Sequence, residues 1–474
     1  MGHNTRLCAF ALAAIALISL GGCGGGGGSA VGLPNPPITV VPTPAIHNEW
    51  AWAGGSNLIS QTGTYGTLGS AAAANAPGGR YGGASWTDGS GNFWLFGGIA
   101  APSPTTDNYF NDLWKYSGGQ WTWVGGSNGY NQTGVYGTQG TAAANNIPGA
   151  RVSAASWMDS SGNLWLFGGT GLDSTGRSEI LNDLWKYSGG QWTWMGGPKV
   201  GLQNIPGVYG TQGTAAAANL PGARYSAVSW TDKAGAFWLF GGIGYDSAGS
   251  LGYLSDLWKY SAGQWAWMSG SNLVNQPRNY GTPGTAAAGN APGPRVSAAG
   301  WVDAAGDLWL FGGSFGLSGP FSPMNDLWKY SGGQWTWMAG SNRVNQSGIY
   351  GTQGTAAANN TPGARAEAIT WTDAAGNLWL FGGDGWDSGQ GLSELNDLWK
   401  YSGGQWTWVG GPNVSGQPAK YGNQGTSASG NLPGGRVSAM VWSDSAGNVF
   451  LLGGLGYDST GAFGYLNDLW KYVP

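Results

Sequence analysis

Four aspartates, Asp173, Asp246, Asp387 and Asp458, recur in Gly-x-Asp-Ser segments, and Asp384 stands three residues before one of them. Carboxylates carried on loops offer two chemistries. They can serve as hard oxygen ligands for calcium, or, as a pair about 5 to 9.5 Å apart, as the acid and base of glycoside hydrolysis. One carboxylate per segment is also what a capped turn requires, and the first and fourth copies of the repeat described below lack it. No cofactor other than calcium suits this donor set. The chain has two histidines, His3 and His47, and two cysteines, Cys8 and Cys23, all near its start. Zinc sites, Ser-His-Asp arrangements and thiol nucleophiles are thereby excluded from the rest of the chain, and any chemistry there uses oxygen alone.

A second set of charges recurs with the repeat. Arg80, Arg151, Arg224, Arg295, Arg365 and Arg436 each follow a Pro-Gly-x or Pro-Gly-Pro turn, and Asp112, Asp183, Asp256, Asp326, Asp397 and Asp468 each follow Asn or Ser and precede Leu-Trp-Lys-Tyr. Six arginines at one level could ring a channel mouth and attract an anion. The equal copy number favours an Arg–Asp pair in each unit instead. Asp88, Asp159, Asp232, Asp303, Asp373 and Asp444 follow a Trp-x pair at a turn, where bonding to nearby backbone accounts for them.

The elements that must position these groups are read from the repeat. Asn-Asp-Leu-Trp-Lys-Tyr starts at residues 111, 182, 325, 396 and 467, with Ser-Asp-Leu-Trp-Lys-Tyr at 255. Each copy also carries Trp-x-Asp, a Leu-Phe-Gly-Gly or its variant Leu451-Leu452-Gly453-Gly454, and Trp-x-Trp. Aromatic and branched runs punctuated by Gly, Asn and Asp predict four short strands per copy. In the second copy they fall at about Arg151–Trp157, Leu164–Phe167, Asp183–Tyr187 and Trp192–Met195. Leu-Trp-Leu-Phe is apolar on both alternating sets, as a strand covered on both faces must be.

This repeat resembles the kelch motif, with its Gly-Gly doublet after the second strand and its later Tyr and Trp. The resemblance covers residues 47–474 and implies an all-β, six-bladed propeller with four strands per blade. The copies are about 20 residues longer than the ~50 of kelch. The sixth copy stops at Tyr472-Val473-Pro474, while Glu49-Trp50-Ala51-Trp52-Ala53 matches Gln120-Trp121-Thr122-Trp123-Val124. The N-terminal strand is therefore expected to close the last blade, removing two sheet edges. Some kelch-like propellers resemble galactose oxidase, whose copper site needs His ligands and a Cys joined to a Tyr. This chain carries neither residue beyond His47, which argues against that oxidation and against an enzyme.

Alternation of strands places the short first and third turns on one face and the long second and fourth loops, for example Thr170–Leu181 and Gly126–Ala150, on the other. Binding usually resides on long loops held by a rigid scaffold. Of 30 tryptophans, 29 occupy repeat positions and read as packing. Trp386 alone lies outside them, in a long loop, and is the candidate stacking contact. Tyr130 and Arg343 fall in the segments that vary between copies and join Asp173, Asp246, Asp384, Asp387 and Asp458 as candidate ligand contacts.

Residues 1–22 read as an export signal, with Arg6 before the apolar run Leu7–Leu20. Leu20-Gly21-Gly22-Cys23 resembles the lipobox of bacterial lipoproteins, which implies lipidation of Cys23 and, with no Asp at position 24, the outer membrane. Residues 23–46, rich in Gly and then Pro, form a tether. The net charge of −4 gives no footprint for nucleic acid. These features predict an exported, lipid-anchored monomer of the cell envelope that binds a protein or glycan through its long-loop face without catalysis. The alternatives are a carboxylate-based enzyme acting on extracellular polysaccharide and a structural spacer.

Overall fold

The computed structural model describes residues 48–100, 108–201, 204–316 and 321–473. The expected export signal, Cys23 and the expected tether lie outside these residues. Among the described residues no helix occurs, and the strands assemble six antiparallel four-stranded blades. In blade 2 the strands are Ala155–Met158, Leu164–Leu172, Ser178–Ser188 and Gln191–Gly196, paired in that order. The first strands of successive blades neighbour one another in a closed ring and form the inner wall.

Closure is made as the matching termini required. The N-terminal strand Glu49–Gly54 lies beside the C-terminal strand Phe463–Val473, with Trp50 opposite Tyr472 and Trp52 opposite Trp470. Trp50 is buried against Phe381 of the neighbouring blade, with ring centroids 5.2 Å apart. The sixth blade is thus sealed by residues more than 400 positions away from their partners.

The core lies between blades rather than within them. One cluster joins Ala84, Trp86 and Phe96 of blade 1 to Leu164, Trp185 and Trp192 of blade 2, and equivalent clusters recur at the other junctions. Inner tryptophans also reach across: Trp157 Nε1 donates to the Trp238 carbonyl at 3.1 Å and Trp442 Nε1 to that of Trp94 at 3.1 Å. The glycine doublet permits this closeness. Gly168 has a φ of 65°, and a Cβ there would stand 2.8 Å from the Arg224 carbonyl oxygen of the next blade, so both conformation and space demand glycine.

Each blade buries an Arg–Asp pair, which disposes of the arginine ring. Arg151 grips Asp183 with two nitrogens at 2.7 and 2.8 Å, and Arg80–Asp112, Arg224–Asp256, Arg295–Asp326, Arg365–Asp397 and Arg436–Asp468 repeat the fork. In blade 2 the same aspartate accepts from Tyr136 Oη at 2.7 Å and from Trp185 Nε1 at 2.6 Å. Tyr136 belongs to the recurrent Tyr-Gly-Thr-Gln-Gly of the fourth loop, so that loop is pinned into its blade. A buried charge persists only when its lone pairs are matched in this way.

The second loop departs from expectation. The second and third strands of blades 2, 5 and 6 run on into a hairpin, Leu164–Leu172 with Ser178–Ser188 in blade 2, so most of the anticipated loop is ladder. The first strand is correspondingly shorter than anticipated. Arg151–Val152 is a separate short strand pairing with the hairpin's base, and Ala155–Met158 forms the wall. The register shift between Phe167 and Gly169 marks where the hairpin bends away.

Candidate functional site at the axial mouth

Between the short strand and the wall strand of each blade, one residue turns back with a positive φ. These are Gly82, Ser153, Ser226, Ser297, Glu367 and Ser438, with φ between 47° and 66°. Each donates its N–H to the carbonyl of its predecessor in the ring, from Ser153 to Gly82 at 2.8 Å round to Gly82 to Ser438 at 3.0 Å. Six inter-blade hydrogen bonds thus close on themselves around the propeller axis. They frame a cavity of about 210 Å³ at the long-loop face, lined by these residues and the small residue after each.

Glu367 breaks the ring's chemistry, since the other five positions are Ser or Gly. Its Oε2 accepts from Ser438 Oγ at 2.9 Å. Burial raises the carboxyl above its ordinary range, the Ser438 bond opposes this, and the charge of Glu394 adds to the rise. Two more acids follow on the same blade. Asp384 lies opposite Glu394 across the hairpin and opposite Ala366, the neighbour of Glu367, on its other side. Its carboxyl is pushed up to about 6 by burial first, then by Glu394, then by Glu367. Ser393 Oγ donates to Glu394 Oε2 at 2.8 Å and lies 3.1 Å from the hydroxyl of Tyr457 on blade 6.

Elsewhere these positions carry no acid. In blade 3 they are Ser226, Ile243 and Tyr253, and in blade 6 Ser438, Leu455 and Tyr465. Among the described residues no Lys or Arg pairs with Glu367, Asp384 or Glu394, and no three acids are close enough to hold one metal ion. The three acids therefore gather negative charge beside the mouth with no cation paired to it, an arrangement suited to a positively charged or proton-donating group.

The remaining candidate residues distribute differently. Asp173, Asp246, Asp387 and Asp458 are buried and bound mainly by backbone amides, the pattern of a capped turn. Asp173 accepts from the amides of Thr175 and Arg177 at its own tip and of Gly201 in the following loop. Asp458 does the same for Thr460, Ala462 and Ile59, the last 399 positions away. Burial alone would raise these carboxyls; the donors outweigh it and hold Asp173, Asp387 and Asp458 below the usual range. Trp386 is not in a loop and not outside the repeat. It ends the hairpin strand opposite Leu392, at the position of Tyr245 and Tyr457, and its Nε1 donates to Asn345 Oδ1 at 3.3 Å. Tyr130 packs half-buried on Phe110 with centroids 5.0 Å apart, and Arg343 is exposed. Of the anticipated carboxylates, Asp384 is the one whose titration is raised by Glu367, the acid that lines the axial cavity.

Glu367 and Glu394 are not among the sequence-derived candidates, although a signal exists. Aligning the six copies places Glu367 in a column of Ser and Gly two residues after the buried arginine. Attention to what recurs passes over the column that breaks.

No family model matches the chain, and no curated protein matches it. Among solved structures it is similar to that of YjhT, with 14% identity over 83% of this chain and 95% of that one, and a TM-score of 0.49. It is also similar to a fungal alcohol oxidase of the AA5 family in complex with copper, with 12% identity, coverage of 87% and 77%, and a TM-score of 0.45. At that distance the six-bladed assignment stands on this chain's own strand pairing.

Proposed function

We propose that the chain is a lipid-anchored, non-catalytic recognition module of the bacterial cell envelope, which takes its ligand at the axial mouth between blades 5 and 6. The anchor is Cys23 of the lipobox-like segment, and the outer membrane its address. The observation that carries the reading is the clustering of Glu367, which lines the axial cavity, with Asp384 and Glu394 of the adjoining hairpin, at positions that are otherwise hydroxyl-bearing or uncharged. Natural folds rarely gather like charges without compensation unless a ligand supplies it. The propeller's sequence has no His or Cys, which takes imidazole and thiol chemistry away from the mouth. The long-loop face is the binding face because hairpins and fourth loops both end there.

Binding of peptides, glycans and envelope extracts to the full chain in detergent, beside Glu367→Gln and Asp384→Asn, tests this. Ligand capture lost in both variants is the expected result. Capture indifferent to both would remove the mouth as the site and leave the spacer reading ahead. One observation favours a second reading: a carboxyl raised to about 6 beside two other acids is the kind of pairing used in glycoside hydrolysis. Release of reducing ends from envelope polysaccharide, abolished by Asp384→Asn without loss of binding, would establish that activity in its place.

A further inference from the structure

We infer that the groove on the outer flank between blades 1 and 2 is a second binding site, which takes a neutral sugar unit of a glycan. The inference is independent of the axial mouth. A cavity of about 490 Å³ lies between the fourth strand of blade 1 and the loop that crosses from it to blade 2, within the roughly 300–1,000 Å³ of small-molecule sites. None of its lining residues is charged, so a charged ligand would give up its hydration there without gaining a partner.

The first ground is a buried donor left free. Asn111 lines the groove and is only 2% exposed. Its Oδ1 accepts from the Ser127 amide at 3.1 Å. Its counterparts Asn182, Asn325, Asn396 and Asn467 each donate Nδ2 to the carbonyl of a proline in the crossing loop, at 3.5, 3.3, 3.0 and 3.3 Å. Asn111 makes no such bond, and its Nδ2 has no acceptor among the described residues. A donor at that depth is costly to leave unmade, and a hydroxyl oxygen seated in the groove would satisfy it. More amides line the same space. The side chains of Asn145 and Gln191 make no hydrogen bond among the described residues, and Gln132, whose Nε2 donates to the Tyr130 carbonyl at 2.8 Å, keeps its Oε1. Amides offer donors and acceptors side by side, which is what hydroxyls, themselves both donor and acceptor, require.

The second ground is apolar surface among those amides. Buried Leu113, Tyr187 and Trp192 line the groove, and Leu68 and Val135, 54% and 45% exposed, line it nearest solvent. A pyranose ring presents C–H groups on its faces and hydroxyls round its edge, and so meets both kinds of surface at once. Strand addition by a peptide is obstructed, because Ala143 already bridges Trp192 at that blade's edge. The groove between blades 5 and 6 supplies the contrast, with about 500 Å³ in the equivalent place. There Glu49 and Lys420 occupy the positions of Gln191 and Val135, and Gln353, at the position of Leu68, donates to the Val409 carbonyl at 3.0 Å. Asn396 has spent its Nδ2 on Pro433 and does not line that groove. The repeat provides the same space twice, and only the groove between blades 1 and 2 pairs a free buried amide with an uncharged lining.

The full chain in a zwitterionic, sugar-free detergent would be titrated by calorimetry with neutral tetrasaccharides of glucose, galactose and mannose, with oligogalacturonate as a charged counterpart, and with the blocked peptide Ala-Asn-Leu-Gln-Ala. The expected result is saturable binding of a neutral tetrasaccharide, at least tenfold weaker for oligogalacturonate. It should be about tenfold weaker in Val135→Lys/Gln191→Glu, which installs side chains that the fold already carries at Lys420 and Glu49. Asn111→Ser, matching Ser255 of blade 3, should weaken it about tenfold, Asn145→Ala about threefold, and Lys420→Ala not at all, with circular dichroism melting verifying that each variant is folded. Absence of saturable binding by any neutral tetrasaccharide, equal binding of oligogalacturonate, or binding indifferent to the groove substitutions would overturn the inference. If the peptide binds instead and Val135→Lys/Gln191→Glu abolishes it, the glycan assignment fails and the groove is a protein site. Sugar binding lost in Glu367→Gln and kept in the groove variants would also overturn the inference, and would assign the sugar to the axial mouth.

Discussion

Blades 3 and 5 are built on one plan and differ at one place. Arg224–Asp256 and Arg365–Asp397 are both buried at 2.7 Å, and Tyr209 and Tyr350 cap them at 2.6 and 2.7 Å. Asp246 and Asp387 staple the two hairpin tips to the next loop in the same manner. At the axial mouth, however, Ser226, Ile243 and Tyr253 of blade 3 face Glu367, Asp384 and Glu394 of blade 5 as counterparts. In one blade these positions are uncharged, and in the other they are three acids. The repeat secures the scaffold, so chemistry has to be sought where a copy departs from it. Charged residues are only 9% of the chain, which makes three unpaired acids in one spot harder to explain as ordinary surface.

The comparison can be broken most severely by opening the ring that both blades share. Deleting residues 48–54 exposes the edge of Phe463–Val473 and the faces of Trp371 and Phe381, and is expected to abolish the single cooperative thermal transition. A transition left unchanged would count against closure by the N-terminal strand.

Next in size, Arg224→Met and Arg365→Met should each cost about 3–5 kcal/mol, because a buried aspartate loses its partner. Urea denaturation should give similar losses in the two blades, since the scaffold is common to them. A loss confined to blade 5 would mean that its pair serves the mouth.

The third prediction separates the blades. The Asp384 carboxyl, at about 6 in the fold, lies above its ordinary value of 3.8. Folding therefore favours its protonated form, and the stability so gained is complete below pH 4 and lost as pH rises through 6. Asp384→Asn should remove that loss and leave the protein about 1 kcal/mol more stable than the parent at pH 7. Ile243→Asn in blade 3 should produce no such pH-dependent gain. Melting temperatures across pH 4 to 8 measure both.

The smallest effect concerns a difference that blade 5 shares with blade 2. In blades 1 and 4 the amides of Ser127 and Ser341 donate to Asn111 and Asn325 Oδ1 at 3.1 Å. Proline stands at the equivalent positions 198 and 412, and there Asn182 and Asn396 Oδ1 are buried without a donor. Pro412→Ser restores an N–H and should stabilise by about 0.5–1 kcal/mol, with Ser341→Pro costing a similar amount in blade 4. Chemical denaturation midpoints resolve the two.

Much of the scaffold was legible from residue patterns. Trp50 and Trp52 match Trp121 and Trp123, so the closing strand and its register could be read directly. Equal numbers of Arg and Asp at fixed positions implied the buried pairs. The hairpin was less legible, because Gly169, Gly171 and Gly176 in blade 2 look like loop punctuation although Thr170 and Gly171 pair with Ile180 and Glu179. The same composition made Asp173 and its copies look exposed. Two of the amide donors are local, at i+2 and i+4, but the third comes from another loop, 28 positions on in the case of Gly201, and nothing local announces it.

What the sequence determined by itself is the periodic part: six copies, four strands in each, the closure and the ion pairs. Periodicity carries that information because each copy repeats the same local hydrophobic pattern and the same buried charges. Only the tertiary structure decided which acids meet. Glu367 reaches the axis because its backbone turns at a φ of 59°, and Asp384 and Glu394 come beside it through hairpin pairing 17 and 27 positions further along. A carboxylate cluster depends on distances through space and on the donors that do or do not reach it, and these are set when the blades pack around a common axis.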